Sequence, residues 1–304
     1  MLIKCLSYEK VAPTTPTASS YAIVGYATTY RYWLYKKDGS QDPDFKNASF
    51  PLPEIKISEL PARLRIAQFM ILPSHHRAGH GNNLYTTIHA ACIADPTIME
   101  LTVEDPNEQF DALRDTADFC LLRPEFLKHH ININPDPNGM YSESKSSSTK
   151  LTEHLIPQKV LSDIRTEFKI ETTQFAHVLE MFLLNQIPKG HRGASANLAR
   201  LLVKKHNAED PNDRRYFWWR LLIKQRIYKK HKELLDELEI LDRAHKLNET
   251  VLTVEEGYEI RLEALKGRFP VPSTRREKRK HAVLDDDDEE EAESGAELVK
   301  RPKN

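Results

Sequence analysis

Two short segments of this 304-residue chain carry side chains that could do chemistry. The first is Ser74-His75-His76-Arg77-Ala78-Gly79-His80-Gly81-Asn82-Asn83. It precedes Leu84, Ile88, Ala91 and Cys92, which recur at helical spacing. A helix N-terminus offers unpaired backbone N–H groups and a partial positive charge, so it binds phosphate. Gly79 and Gly81 have no Cβ, which lets the backbone come close to an anion. His76, Arg77 and His80 add donors nearby. A tight turn that merely needs glycine is the competing explanation. No Lys-Ser/Thr pair follows Gly81, and no third glycine follows, so this is neither a Walker A loop nor a dinucleotide fingerprint. His76 and His80 are four apart in a loop and lack the neighbouring glutamate of a zincin helix, so no metal is expected.

The second segment is Glu104-Asp105, at the end of the apolar run Ile98–Val103. Ligands of α/β sheets gather at strand C-termini. A carboxyl there, beside an apolar strand and a second acid, can be raised towards neutrality and serve as a general base. Asp-Pro-Asn is also good turn and helix-cap chemistry by itself. Strand alternation would place Glu104 and Asp105 on opposite faces and give them different roles. There is no Gly-x-Ser-x-Gly elbow. Cys92 falls on an apolar helix face, which suits core packing better than nucleophilic attack.

Those residues need elements to hold them. Tyr21–Tyr35 is rich in β-branched and aromatic residues and reads as a strand, as do Arg63–Leu72 and Ile98–Val103. Asp38–Pro53 reads as a long surface loop. Asn107 can cap a helix whose apolar face is Phe110, Leu113 and Ala117. The strand–helix–strand order implies a right-handed crossover with parallel pairing. Asn132–Lys150 reads as a linker. Beyond it come amphipathic helices at Val160–Phe168, Gln174–Leu184 and Asn197–Lys204. A long helix follows at Tyr216–His245, with Ile227, Leu234 and Leu241 seven apart, packed as a hairpin against Thr253–Lys266. Composition gives 39% hydrophobic and 29% charged residues at a net charge of −1, enough for a real core. No stretch reaches the ~18 apolar residues of a membrane span. Cys5, Cys92 and Cys120 do not form a disulfide framework, which points to a reducing compartment. The tail alternates a basic block, Arg275–Lys280, with seven consecutive acids, Asp285–Glu291. Such blocks stay solvated and often serve as interaction tails or nuclear localisation signals.

Taken together, Arg65–Pro73, Gly79-His80-Gly81, Leu101–Glu108 (LTVEDPNE) and Phe110–Asp115 resemble the catalytic subunits of type B histone acetyltransferases, in the GCN5-related acetyltransferase superfamily. The strand VGYATTYRYW and the helix Arg214–Leu235 fit the same resemblance, the latter more weakly. It implies an α+β fold: an acetyltransferase core with a mixed sheet over residues 1–130, a linker over 131–152, a helical domain over 153–268 and a disordered charged tail over 269–304. It also implies an acetyl-coenzyme A site. Phe69, Met70 and Ile71 would bind the pantetheine arm. His76, Arg77, Ala78, Gly79, His80, Gly81 and Asn82 would hold the pyrophosphate, with Asn107 a further contact.

Glu104 would be the general base, with Asp105 beside it, and Tyr30, Arg31 and Tyr32 would meet the histone tail. The implied partners are histone H-four with its core-histone partner and a WD-repeat histone-binding subunit, with neither direct nucleic-acid nor membrane binding. The implied setting is nucleus and cytoplasm, in chromatin assembly and DNA repair. The family's loop begins Gln/Arg-x-x-Gly-x-Gly/Ala, whereas His76 stands first here, so weaker or pH-dependent coenzyme binding is expected. The chain also starts close to a mid-family segment. It is therefore expected to lack the family's N-terminal domain and to carry an edge strand near Ile3–Tyr8. A non-catalytic histone escort, or an acetyltransferase of another amine, are the alternatives.

Overall fold

The computed structural model describes residues 2–11, 20–34, 60–136, 154–193 and 209–266. The surface loop Asp38–Pro53, most of the linker, the helix Asn197–Lys204 and the charged tail lie outside the described residues. The described residues all fall within one unit, Met1–Arg268.

A four-stranded mixed sheet runs in chain order: β1 (Leu2–Lys10), β2 (Tyr21–Trp33), β3 (Ala62–Ile71) and β4 (Ile98–Val103). β1, β2 and β3 are antiparallel, with bulges at Ser7/Tyr8 and Thr28/Thr29. β3 and β4 are parallel because α1 (His80–Ala94) crosses between them. Among the described residues β1 lies at the edge, next to β2 alone. α2 (Glu108–Lys128) follows β4, and Asn107 caps it by accepting from Phe110 N at 2.8 Å, as its sequence predicts.

The helical half holds α3 (Gln158–Glu167), α4 (Thr172–Gln186), α5 (Pro211–Lys230), α6 (Lys232–Asp236) and α7 (Ile240–Leu265). The single helix expected over Tyr216–His245 is in fact three. Asp236 turns the chain back by accepting from Tyr228 Oη at 2.6 Å and pairing with Arg243 at 3.3 Å. The presumed heptad seam is therefore split: Ile227 is buried, while Leu234 and Leu241 are 67% and 83% exposed.

One core forms where α1 and α2 cover the sheet, around Leu64, Ile66, Ile88, Leu101 and Phe110. Cys92 belongs to it, and burial pushes its thiol up to about 11, so it packs as a small apolar group. A second core gathers Phe126, Phe175 and Phe182, whose rings meet at 5.0 to 5.8 Å. Trp219 stacks on Tyr216 beside it. α4 is apolar almost all round because other elements enclose it.

A buried polar cluster joins the two cores. Asp115 and Asp118, one turn apart on α2, are 2% and 1% exposed. Gln174 Nε2 of α4 donates to both at 3.0 Å, and Tyr85 Oη of α1 donates to Asp118 at 2.9 Å. Arg261 of α7 lies 3.5 Å from Asp115. Arg114, His89 and His177 complete the surroundings. Burial drives the His177 ring down to about 3 and also lowers His89, so both are neutral.

Burial likewise raises Asp115 to about 6 and Asp118 to about 7, against the opposing pull of their donors and the arginines. Both values exceed the unfolded carboxyl value of about 4, so the folded state holds protons that the unfolded chain has released. Stability from this source is full below the unfolded value and is lost as pH rises through the two folded values. We expect the melting temperature to drop by roughly 5 °C from acidic to mildly alkaline buffer. Asp118→Asn should flatten that drop in a pH series of thermal melts. An unchanged slope would assign the effect to other groups.

Candidate functional site

The pairing of β3 with β4 runs from Ala62↔Ile98 to Ile66↔Val103. One more link, Glu104 N donating to Ile66 O at 2.9 Å, closes it. β3 then continues through Gln68–Ile71 while the β4 chain turns away at Glu104. The strands part, and β3 has no β4 partner along Phe69–Ile71. Backbone groups there can pair with a bound chain.

The turn that diverts the chain has Asp105 at φ 39°, a left-handed conformation that aspartate tolerates. The strand ends at Val103, so the strand alternation expected at Glu104-Asp105 does not apply there. Both residues are exposed.

The loop after β3 forms a 3-10 turn at Pro73–His75 and then enters α1. The helix starts at His80, so Asn82 and Asn83 lie within its first turn. Gly79, at φ 84°, takes the cap position in a conformation that penalises a Cβ. Gly79 has no side chain to cap the first amides, so α1 begins without a side-chain partner. His76, Arg77, Ala78 and Gly79 are exposed; His80, Gly81 and Asn82 are partly covered. Arg77 also has positive φ, at 62°. His76 Nε2 lies 2.8 Å from Ile71 O, which ties the loop to the end of β3. The rings of His75 and His80 meet edge to face.

Gly81 fixes how these parts meet. A Cβ there would come 2.7 Å from Leu113 Cδ1, 3.7 Å from Ile71 and 3.9 Å from Phe69. The α1 N-terminus therefore rests directly on the end of β3. Phe69 packs on Phe110 of α2 at 4.8 Å, while Met70 is 43% exposed. Asn107 sits at the start of α2 with its carboxamide oxygen committed to the cap.

On the sheet face away from this core, Tyr30 Oη donates to Glu104 Oε2 at 3.4 Å. Arg65 Nη1 donates to Tyr30 Oη at 3.4 Å. Its guanidinium lies 6.0 Å from the Tyr30 ring centre and 5.8 Å from that of Tyr32. This aromatic pair accepts a cation, as ring quadrupoles do. Arg31 does not join it. Arg31 pairs with Asp95 and donates to Thr97 Oγ1 at 3.0 Å, bracing β2 against the turn between α1 and β4. Thr97, and to a lesser degree Arg31, hold the Asp95 carboxyl below its usual range. Arg65 escaped the sequence reading. The alternation Leu64-Arg65-Ile66, which turns it away from the core, was the available signal. Among the described residues no three His, Cys, Asp or Glu side chains converge as metal ligands.

Comparison with known proteins bears on this geometry. A family model described as "Fungal HAT1, C-terminal" matches residues 116–187. A protein of Aspergillus oryzae named histone acetyltransferase type B catalytic subunit is 62% identical over 253 residues, which is 83% of this chain and 50% of the relative. Over the matched region the chain belongs to this family. Its namesake in Aspergillus fumigatus is 60% identical over 257 residues, 84% of this chain and 45% of the relative. That of Pyricularia oryzae is 34% identical over 261 residues, 83% of this chain and 52% of the relative. The chain thus spans about half the length of the type B acetyltransferase subunits it matches.

The β2–β3 contact beside the site gives a direct test of this packing. A Cβ on Gly25 would stand 2.5 Å from Met70 O and 2.6 Å from Ile71 Cδ1, so backbone must move. Gly25→Ala should cost about 1–3 kcal/mol in a denaturant titration, as overpacking does. A neutral substitution would mean that β2 and β3 separate freely there.

Proposed function

We propose that this chain is an acetyl-coenzyme A-dependent lysine N-acetyltransferase acting on the tail of free histone H-four. The observation that carries the reading is the parting of β3 from β4 beneath the uncapped N-terminus of α1, with Glu104 at the fork. An extended pantetheine arm can add to the free edge at Phe69, Met70 and Ile71. The pyrophosphate suits His76–Asn82, where backbone amides and a helix end face anions. Asn107 retains its amide N–H₂ for a further contact. Tyr30 and Tyr32 offer aromatic surface for a lysine stem. The uncharged lysine amine attacks the thioester carbonyl, the carbon–sulfur bond breaks, and coenzyme A thiol leaves. Glu104 accepts the proton lost by the ammonium, and Tyr30 Oη steadies the carboxylate. Asp105 flanks the base. Arg31, on the opposite face of β2, braces the sheet through Asp95 and Thr97.

The same reading carries the rest of the proposal. Residues 1–130 would form the acetyltransferase core and 153–268 a helical domain that buttresses it. The partners would be histone H-four with its core-histone partner and a WD-repeat subunit. The protein would act in nucleus and cytoplasm, in histone deposition and DNA repair.

Transfer of labelled acetyl from acetyl-coenzyme A to a histone H-four tail peptide tests it. Glu104 is exposed, so Glu104→Gln should fold normally and yet lose about 100-fold or more in rate. Equal rates in the two proteins would remove Glu104 as base. Coenzyme binding without transfer by either protein would favour a histone escort. His76→Gln, which restores the family loop pattern, should tighten coenzyme binding in calorimetry; an unchanged Kd would sink that point.

A further inference from the structure

The helical half holds a groove that the proposed chemistry does not use. It has a volume of about 900 Å3, lies between α3, α4 and α5, and is partly open to solvent. Its floor is apolar: Ile156, Ala176, Leu179, Leu183 and Leu222. One rim is Gln225, Arg226 and Lys229 of α5, one turn beyond Leu222, with Lys230 beside it.

The rim is basic, and its charges are not equally engaged. Arg226 is consumed within the fold, bonded to Glu180 at 2.7 and 2.8 Å. Lys229 and Lys230 are exposed and have no carboxylate within ion-pair distance among the described residues. Cations in the last turn of α5 suit its carbonyl end, which accounts for their presence but leaves the apolar trough below them unexplained.

Small-molecule sites enclose the ligand and converge polar groups upon it. Here the charges run along one edge of an open trough, the geometry of a helix laid in a groove. We propose that this groove docks an amphipathic helix from a partner protein, with an apolar stripe on one face and Asp or Glu along one flank. Charge selects the occupant. The chain's own basic segments, Arg275–Lys280 and Arg200–Lys205, carry the rim's sign. Its acidic run Asp285–Glu291 has seven charges in succession and no apolar stripe. The site is separate from the strand fork, so it stands or falls independently of the acetyltransferase reading.

The test selects from a library of displayed helical peptides of about 18 residues, with leucine fixed at i, i+4, i+7 and i+11 and all flanks randomised, against the full chain. The expected winners carry Asp or Glu along one flank. Their Kd, read by fluorescence anisotropy, should rise at least about tenfold with Lys229→Glu/Lys230→Glu and stay level with Lys246→Glu. Lys246→Glu should melt with the parent, and the double reversal, which puts acids at the carbonyl end of α5, should melt only a few degrees lower, so binding is read well below either transition. Leu222→Gln, on the floor, should weaken binding without changing the preferred flank charge.

Five outcomes overturn the proposal: no enriched peptide, enrichment of neutral or basic flanks, indifference to the rim reversal, binding that appears only after Asp285–Glu291 is deleted, or a concentration-dependent mass in light scattering that Lys229→Glu/Lys230→Glu abolishes. The fourth would make the chain's own tail the occupant, and the fifth a second copy.

Discussion

Two carboxylates inside α2 constrain everything around them. An isolated charge in a protein interior costs several kcal/mol, so Asp115 and Asp118 are tolerable only where donors reach them or a proton stays on them. The donors come from three other helices: Tyr85 on α1, Gln174 on α4 and Arg261 on α7. These bonds are directional, so they add an angular constraint to the side-chain packing that already orients the helices. The pair is costly, yet it ties α1, α4 and α7 to α2.

The same helix reaches the strand fork. Leu113 stands just before Asp115 on α2 and touches the backbone of α1 at Gly81, which in turn rests on Phe69 and Ile71. Phe110, one turn earlier, braces Phe69. The α1 amides, the free edge of β3 and the cap at Asn107 are thus three faces of one packing arrangement. Glu104 is the exception. Its backbone N–H is tied to Ile66 O, but its carboxylate is exposed and takes a long hydrogen bond from Tyr30, so the side chain's position follows from the β4 turn more than from core packing.

Much of this was legible in the residues. The β-branched and aromatic run at Tyr21–Tyr35, the crossover from β3 through α1 to β4, and the Asn107 cap all follow from local chemistry that tertiary structure leaves intact. The strand fork itself was not readable from periodicity, because it depends on where β4 stops relative to β3. The buried acids were hidden for the same kind of reason: Asp three apart on a helix reads as a solvated face until a partner helix covers it. Tyr216–His245 misled because helical spacing continues across His231, and only the pull of Tyr228 and Arg243 on Asp236 reveals the turn. Arg31 lies next to Tyr30 in sequence, but adjacent strand residues point to opposite faces, and it serves the far side.

Lys169 closes the C-terminal end of α1. Its ammonium donates to Cys92 O, Ile93 O and Asp95 O at 3.1, 3.0 and 2.7 Å. Three N–H bonds meet three carbonyls, and at φ 51° its own backbone is held in a left-handed turn. All three donors of the amine are committed to the end of α1, so acylating reagents that modify the exposed lysines of the α5 rim should leave this amine intact for as long as α1 stays folded.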